Sequence, residues 1–187
     1  RRYGGAERTV DAAVKSAARE AGLDAQSFGA NLLFEPWTIR TGSGTAFSVF
    51  TPFWRACLSA PAPRPPVAAP DGIRTAGLPD SLHIEELGLL PTRPDWAGGL
   101  RDAWQPGERS AHDDLADFVR DDLARYREDR DVPGIDATSR LSPRLRWGEL
   151  SPHQVWHAAS TARGHDRGAA DSAAGFLSEL GSREFAY

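Results

Sequence analysis

Methionine is absent from the 187 residues, and cysteine and lysine each occur once. Without methionine the sequence does not read as a translation product beginning at its own start. Its last residues, ELGSREFAY, fall inside an amphipathic helical pattern with no capping signal. Both features predict an internal piece of a longer protein. The single cysteine, Cys57, excludes an internal disulfide framework and suits a reducing, cytoplasmic setting. Alone it reads as a small buried hydrophobe. No apolar run approaches bilayer-spanning length, and no basic segment leads into an apolar one as in a signal peptide. The chain is therefore expected to have no membrane partner. Hydrophobic content of 40% and charged content of 26% are those of a globular protein, long enough for one sizeable domain or parts of two.

Because Lys15 is the only lysine, nearly all basic charge is arginine. A net charge of −4 argues against a uniformly basic nucleic-acid binder. The balance is uneven, however. Residues 95–137 hold 12 acids against 6 arginines, whereas residues 138–187 hold 6 arginines against 5 acids. A polyanion should prefer the second stretch.

Helical spacing of Val10, Val14 and Ala17 or Ala18 predicts a helix over 6–21, with Gly22 just past its end. Short alternating runs at 25–28 and 31–34 predict two strands, and helix followed by strand suggests the edge of an α/β domain. Turn-rich sequence then leads to APAPRPPVAAP. There each proline fixes φ and removes a donor, so 61–94 reads as a long connection with one helical turn near 82–87.

Beyond it the pattern is helical throughout. Leu115, Phe118, Val119, Leu123 and Tyr126 form one stripe on a helix of 108–127, with Ser110 and Asp113 as a possible capping box. DRDVPGIDATS is a loop. Leu-Ser-Pro recurs nine residues apart. Ser142-Pro143 and Ser151-Pro152 each read as a serine N-cap followed by proline, which loses only a donor that had no helical partner. Gly148 ends the first of these helices. The second spans 152–163 with Val155 and Ala158 or Ala159 inward, and a last helix from 171 turns Phe176, Leu177, Leu180 and Phe185 to one side.

A helix N-terminus favours an anion, through its unpaired N–H groups and its dipole. Thr138, Ser139 and Ser142 add hydroxyls around the first Leu-Ser-Pro start, and Arg140 and Arg144 add charge. Such a set suits a phosphate or pyrophosphate. Simple capping with solvated arginines accounts for the same residues, and on spacing alone both readings stand.

Zinc is a poor fit. His153 and His157 lie at i,i+4, but His83, His112 and His165 offer no convincing third ligand, so no metal is expected. Ser139 lacks the G-x-S-x-G elbow of a hydrolase nucleophile. Trp147 and Trp156 read as core or interface aromatics, and the GSG at 42–44 as a turn.

TSRLSP followed by LRWGELSPHQVWHA resembles the flavin-binding half of the DNA photolyase and cryptochrome family, with class I-like character. VFTPFWRA, the PGE at 106–108, YREDRDVPG and the terminal FLSELGSREFAY are similar to family segments in the same order, and RRYGGAER more loosely so. The resemblance implies three parts: the C-terminal portion of a Rossmann-like α/β antenna domain (1–56), an inter-domain linker (57–94) and the first portion of a helical FAD-binding domain (95–187).

It implies FAD held by Tyr126, Thr138, Ser139, Arg140, Leu141 and Ser142, with Phe176 beside the flavin. A pterin or deazaflavin antenna pigment is implied too, with Glu7 near it. The last helix should face damaged DNA, where Glu179 hydrogen-bonds the lesion bases and Arg183 and Arg130 meet phosphate. Ser182 departs from the pattern, because photolyases usually carry a tryptophan there that packs on the pyrimidine dimer. The activity implied is light-driven, FAD-dependent repair of cyclobutane pyrimidine dimers by a monomeric deoxyribodipyrimidine photolyase. The alternatives are a cryptochrome-like photoreceptor without repair and an inactive fragment.

Overall fold

A computed structural model describes residues 2–29, 31–75, 77, 80–162 and 167–187. Helix α1 (Gly5–Glu20) ends as its sequence predicts. Gly22 adopts φ 74°, its N–H donating to Arg19 and that of Leu23 to Ala18, both at 2.9 Å. These two bonds satisfy carbonyls that the helix itself leaves open. The inward stripe does not materialise: Val10 and Val14 are 54% and 62% exposed, and no residue of α1 is buried.

Among the described residues there is no strand, so the expectation at 25–28 and 31–34 is corrected. A strand needs a partner for its backbone groups. The N–H groups of Leu33 and Phe34 instead donate to the Glu184 carboxylate, at 2.7 and 3.2 Å. A side chain 151 positions away from Leu33 has taken the place of a neighbouring strand.

Helix α2 (Phe50–Ser59) buries Cys57 and carries Trp54 against the last helix. The proline-rich connection contains one 3₁₀ turn, Ile84–Leu87, within the predicted 82–87. Its early part is tied down. The ring N–H of His153 donates to the Arg64 carbonyl at 3.2 Å, and His157 reaches the Pro63 and Arg64 carbonyls at 3.2 and 3.1 Å. Both histidines therefore bond backbone oxygen. Among the described residues no group of three His, Cys, Asp or Glu can hold a metal ion. His165 and the end of the expected 152–163 helix lie outside the described residues.

After the short α3 (Gly98–Ala103), α4 begins at Glu108 with Gly107 as its N-cap, so the Ser110–Asp113 box is not formed. Nor does the predicted 108–127 helix run straight. Following α4 (Glu108–Asp117), Phe118–Asp122 forms a π turn in which the Leu123 N–H donates to Phe118, five residues back. A 3₁₀ turn (Leu123–Arg125) then leads into α5 (Tyr126–Asp129). The buried residues explain it. Leu115, Phe118, Leu123 and Tyr126 are inward, which leaves a step of five between Phe118 and Leu123. Unbroken α-helix would have turned Asp122 inward; one extra residue in the turn substitutes Leu123.

In α6 (Ser142–Trp147) the cap is Leu141 rather than Ser142, and no side chain caps it. Gly148 ends the helix at φ 76°. Helix α7 (Pro152–Thr161) starts as predicted, the Ser151 hydroxyl accepting from the Gln154 N–H at 3.2 Å while Gln154 accepts from the Ser151 N–H at 2.7 Å.

The last helix, α8 (Arg167–Phe185), is the axis on which α2, α5, α7 and the 123–125 turn pack. Ala173, Phe176, Leu177 and Leu180 bury its inner stripe beside Leu150 and Val155. Phe185 meets Phe50 and Phe53 with centroids 5.9 and 5.3 Å apart. Among the described residues, no helix is long and apolar enough to cross a membrane.

Two glycines of α8 should respond oppositely to alanine. A Cβ on Gly181 would lie 2.4 Å from the Trp54 ring, whereas one on Gly175 would meet nothing within 4 Å. Gly181→Ala is expected to destabilise by about 1–3 kcal/mol through overpacking. Gly175→Ala is expected to stabilise by roughly 0.5–1 kcal/mol through its helix propensity. Denaturant melts of the two variants check this, and equal effects would contradict the close approach of α8 to α2.

Glu184, only 5% exposed, makes stability depend on pH. Burial pushes its carboxyl up to about 7 from 4.5, outweighing the Leu33 and Phe34 N–H groups and Arg183, which pull it down. Because the folded-state value is raised, folding takes up a proton between those limits. The contribution of Glu184 to stability is fully present below about 4.5 and is lost as pH rises through about 7, by roughly 3 kcal/mol in all. Glu184→Gln should flatten that part of the curve of melting temperature against pH. Parallel curves for the two proteins would contradict it.

Candidate functional site

Three separated segments meet at one cleft of about 530 Å³. The α5 start gives Tyr126, the loop into α6 gives Thr138, Ser139, Arg140, Leu141 and Ser142, and α8 gives Phe176, Glu179, Leu180 and Arg183. The α8 residues recur at three and four positions and so share one face.

Tyr126 is placed by the π turn. Its ring meets Phe176 edge-on at 5.3 Å and Phe118 at 5.7 Å, and the Arg130 guanidinium sits 5.2 Å from its centroid. Burial pushes its phenol upward, so the hydroxyl remains a donor at neutral pH.

In the loop, Leu141 is buried and anchors a run whose hydroxyls stay open. Ser139 is half-buried, and Thr138 and Ser142 are exposed. Arg140 has φ 50°, the only positive φ among the described non-glycine residues. That left-handed turn costs on the order of 1–3 kcal/mol, and such strain concentrates at ligand clamps. The Arg140 side chain is held by Asp136 at 2.7 Å.

Arg144 does not join the site. It is 3% exposed and turned away from the cleft, bonding Asp114 at 2.7 and 2.9 Å, Glu149 at 2.7 Å, the Gln105 carbonyl at 2.8 Å and Ser110 at 3.1 Å. A buried guanidinium needs its donors satisfied, and this network satisfies them. It lines instead a hollow on the other side of the loop, with Asp114, Asp117, Asp122 and Asp136. That hollow also touches Thr138, Ser139 and Arg140, but its four carboxylates repel anions. The first cleft is lined by Arg140, Arg146 and Arg183 with Glu179 as its one carboxylate, and the partners of Arg140 and Arg183, Asp136 and Glu184, lie outside its lining. An anion at these hydroxyls is therefore directed to the first cleft.

Glu179 is paired with Arg130 at 2.6 Å, across from Tyr126. Arg183 donates to the Asn31 carbonyl at 2.7 Å and to Glu184 at 3.0 Å. Arg130 and Ser182 lie outside the lining of the cleft. The Ser182 hydroxyl donates to the Ser178 carbonyl of its own helix at 3.2 Å and is exposed.

Sequence reasoning missed Asn31, Leu145, Arg146, Val155, Leu180 and Tyr187, which also line the cleft. Leu145 and Arg146 stand three and four positions after Ser142, and Leu180 four after Phe176, so helical spacing carried that signal. Asn31 had none, because only the tertiary clasp at Glu184 brings its segment there. A second cleft of about 910 Å³ is lined by Tyr3, Trp37, Tyr187, Arg8, Lys15 and Arg40 among others, and shares Tyr187 with the first. Glu7 is outside its lining.

The first cleft thus has an apolar wall of Leu141, Leu145, Val155, Phe176 and Leu180, and a polar wall of hydroxyls and arginines. It fits a ligand with a flat apolar part and an anionic part. The hydroxyls and arginines suit the phosphates of such a ligand.

The sequence model of the family described as DNA photolyase matches residues 1–71. A deoxyribodipyrimidine photo-lyase of Agrobacterium fabrum is 41% identical over 188 aligned residues, covering 100% of this chain and 39% of that protein. Cryptochrome-1 of Arabidopsis thaliana is 32% identical over 88% of this chain and 25% of its own length. Among solved structures, a bacterial class III photolyase from Agrobacterium tumefaciens superposes with a TM-score of 0.90 at 40% identity, over 99% of this chain and 38% of that one. A Synechocystis cryptochrome, 22% identical, shares the fold with a TM-score of 0.67 over 99% of this chain and 39% of its own. The chain spans about two fifths of the length of the photo-lyases it matches. Its motifs, its fold and its relatives agree: the chain belongs to the DNA photolyase and cryptochrome family.

Proposed function

We propose that the protein is a deoxyribodipyrimidine photolyase, repairing cyclobutane pyrimidine dimers in damaged DNA with light and FAD. The observation that carries this reading is the convergence of Tyr126, Thr138, Ser139, Arg140, Leu141, Ser142 and Phe176 on one cleft, with Glu179 and Arg183 beside them. Bound there, FAD supplies a light-excitable electron donor. The chain's own work is to hold, orient and exclude water. The hydroxyls of Thr138, Ser139 and Ser142, with Arg140, hold the phosphates. Leu141 and Phe176 flank the flat part. Glu179 hydrogen-bonds the bases of a flipped-out dimer, and Arg183 and Arg130 take DNA phosphate.

The finer organisation belongs to the same reading. Residues 1–56 are the C-terminal part of a Rossmann-like antenna domain, 57–94 the linker and 95–187 the first part of the FAD-binding domain. The second cleft, with its aromatic walls and its cations, is the place for a pterin or deazaflavin pigment. Tyr187 stands between the two clefts. The protein acts as a cytoplasmic monomer.

Flavin retention tests the cleft. Thr138→Ala and Ser142→Ala should each lower the flavin that copurifies. Ser151→Ala removes the α7 cap and should leave flavin content unchanged while costing about 1 kcal/mol of stability. Ser142 makes no capping bond, so its loss should hardly move the melting temperature. Absorbance of the three purified variants reads the first effect and thermal melts the second. Equal flavin in all three would show that the hydroxyls only shape the loop.

One observation favours a second reading. Exposed on α8, Ser182 offers no aromatic face, which suits a cryptochrome-like photoreceptor that does not repair. For a photolyase, Ser182→Trp should tighten binding to dimer-containing DNA by about 1–3 kcal/mol, the value of one base–aromatic stack. Undamaged duplex, bound through phosphate, should barely respond. Competition binding at fixed salt, with light-dependent dimer splitting followed in the same samples, decides. No gain and no repair in either protein would overturn the photolyase reading.

A further inference from the structure

Arg183 lines the cleft, but its charge is offset from behind. One Nη1 donates both to the Asn31 carbonyl at 2.7 Å and to Glu184 Oε1 at 3.0 Å. Glu184, the next residue, points into the interior, where its Oε2 accepts from the Leu33 and Phe34 N–H groups. Arg183 and Glu184 together therefore present a nearly neutral pair to the cleft. Its other cations, Arg140 and Arg146, come from the opposite wall.

We infer that Glu184 is a positioning residue for anion capture: ionised, it holds Arg183 back and cancels its charge, and neutral, it yields that charge to a nucleic-acid phosphate at the cleft. The inference rests on the reading of this cleft as the DNA-facing flavin site.

The geometry lets the charge change without dismantling the wall. A protonated carboxyl keeps its carbonyl oxygen, which still accepts from Leu33, and the Asn31 carbonyl still accepts from Arg183. What changes is the local charge, from about zero to plus one. With the carboxylate buried, that field is only weakly screened by salt. Burial also brings the exchange to about 7.

Few other groups face this carboxyl. Arg183 pulls its proton affinity down from α8. Cys57, on α2, has its thiol pushed up to about 12 by burial and by Glu184 itself, so it stays neutral. His153, on α7, meets the same segment at the Leu32 backbone, and burial pushes it down. Its gain of charge therefore falls below its ordinary value of 6.5, on the acid side of the Glu184 exchange at about 7.

The experiment measures binding of a short fluorescein-labelled oligodeoxythymidylate, free of dimers, from about pH 5.5 to about pH 8.5, bracketing the value of about 7. Affinity should fall roughly two- to fivefold as pH rises through that value, the size of one exposed ion pair. The slope of log affinity against log salt should become shallower by about 0.7, one phosphate contact on a single strand. Glu184→Gln should be flat with pH at the higher affinity, and Arg183→Gln flat at the lower one. Arg183→Gln leaves the buried carboxyl in place, so it decides the matter even if the Glu184 variant does not fold. Either variant keeping the unmodified protein's pH slope overturns the inference alone. No binding at any pH overturns the DNA-facing reading of the cleft, and the inference falls with it.

Discussion

A carboxylate buried between α8 and the 31–34 segment organises this structure. Taking an ionised group out of water costs several kcal/mol even after relaxation, and it persists only where donors replace the lost water. Glu184 finds two backbone N–H groups and one guanidinium. Those bonds tie residues 31–34 to α8, bring Asn31 to the cleft and turn Arg183 along its wall. The close approach of Gly181 to Trp54 sets α2 against the same helix end. Without the clasp, the segment between α1 and α2 would have less to hold it, since α1 buries nothing.

The loop from Asp136 to Ser142 separates two electrostatic environments. One side faces Asp114, Asp117, Asp122 and Asp136, and the other faces Arg140, Arg146 and Arg183. The arginine that sequence spacing placed at the anion, Arg144, instead stands on the acidic side, where it pairs with both Asp114 and Glu149. A phosphate-binding loop needs this division as much as it needs hydroxyls. A site whose back is acidic and whose front is basic fixes the direction from which an anion arrives.

What could be read from the sequence follows from how local each determinant is. Gly22, Gly148 and the Ser151 cap were legible, because a left-handed glycine or a capping serine acts within a few residues. The helices of the second half followed from apolar spacing, and the cleft residues 138–142 from their hydroxyl cluster and its resemblance to the flavin-binding segment. The strands at 25–28 and 31–34 failed because alternation states which residues alternate, not whether another strand is there to pair. Ser142 reads like Ser151, yet the preceding left-handed Arg140 moves the cap to Leu141. The Glu184 clasp has no sequence signature at all. In SREF the glutamate looks like an ordinary helix residue until its partners, some 150 positions earlier, are known.

The π turn at Phe118–Asp122 gives the helix a phase as well as a stripe. Each residue added to or taken from an α-helix rotates everything after it by about 100°. Removing one residue from this turn would straighten the backbone, yet it would swing Tyr126 and the loop beyond it away from Phe176. The local bonding would improve and the cleft would come apart. Single-residue insertions and deletions between Leu115 and Tyr126 are therefore far less tolerable here than substitutions. The spacing of this segment is itself part of the binding site.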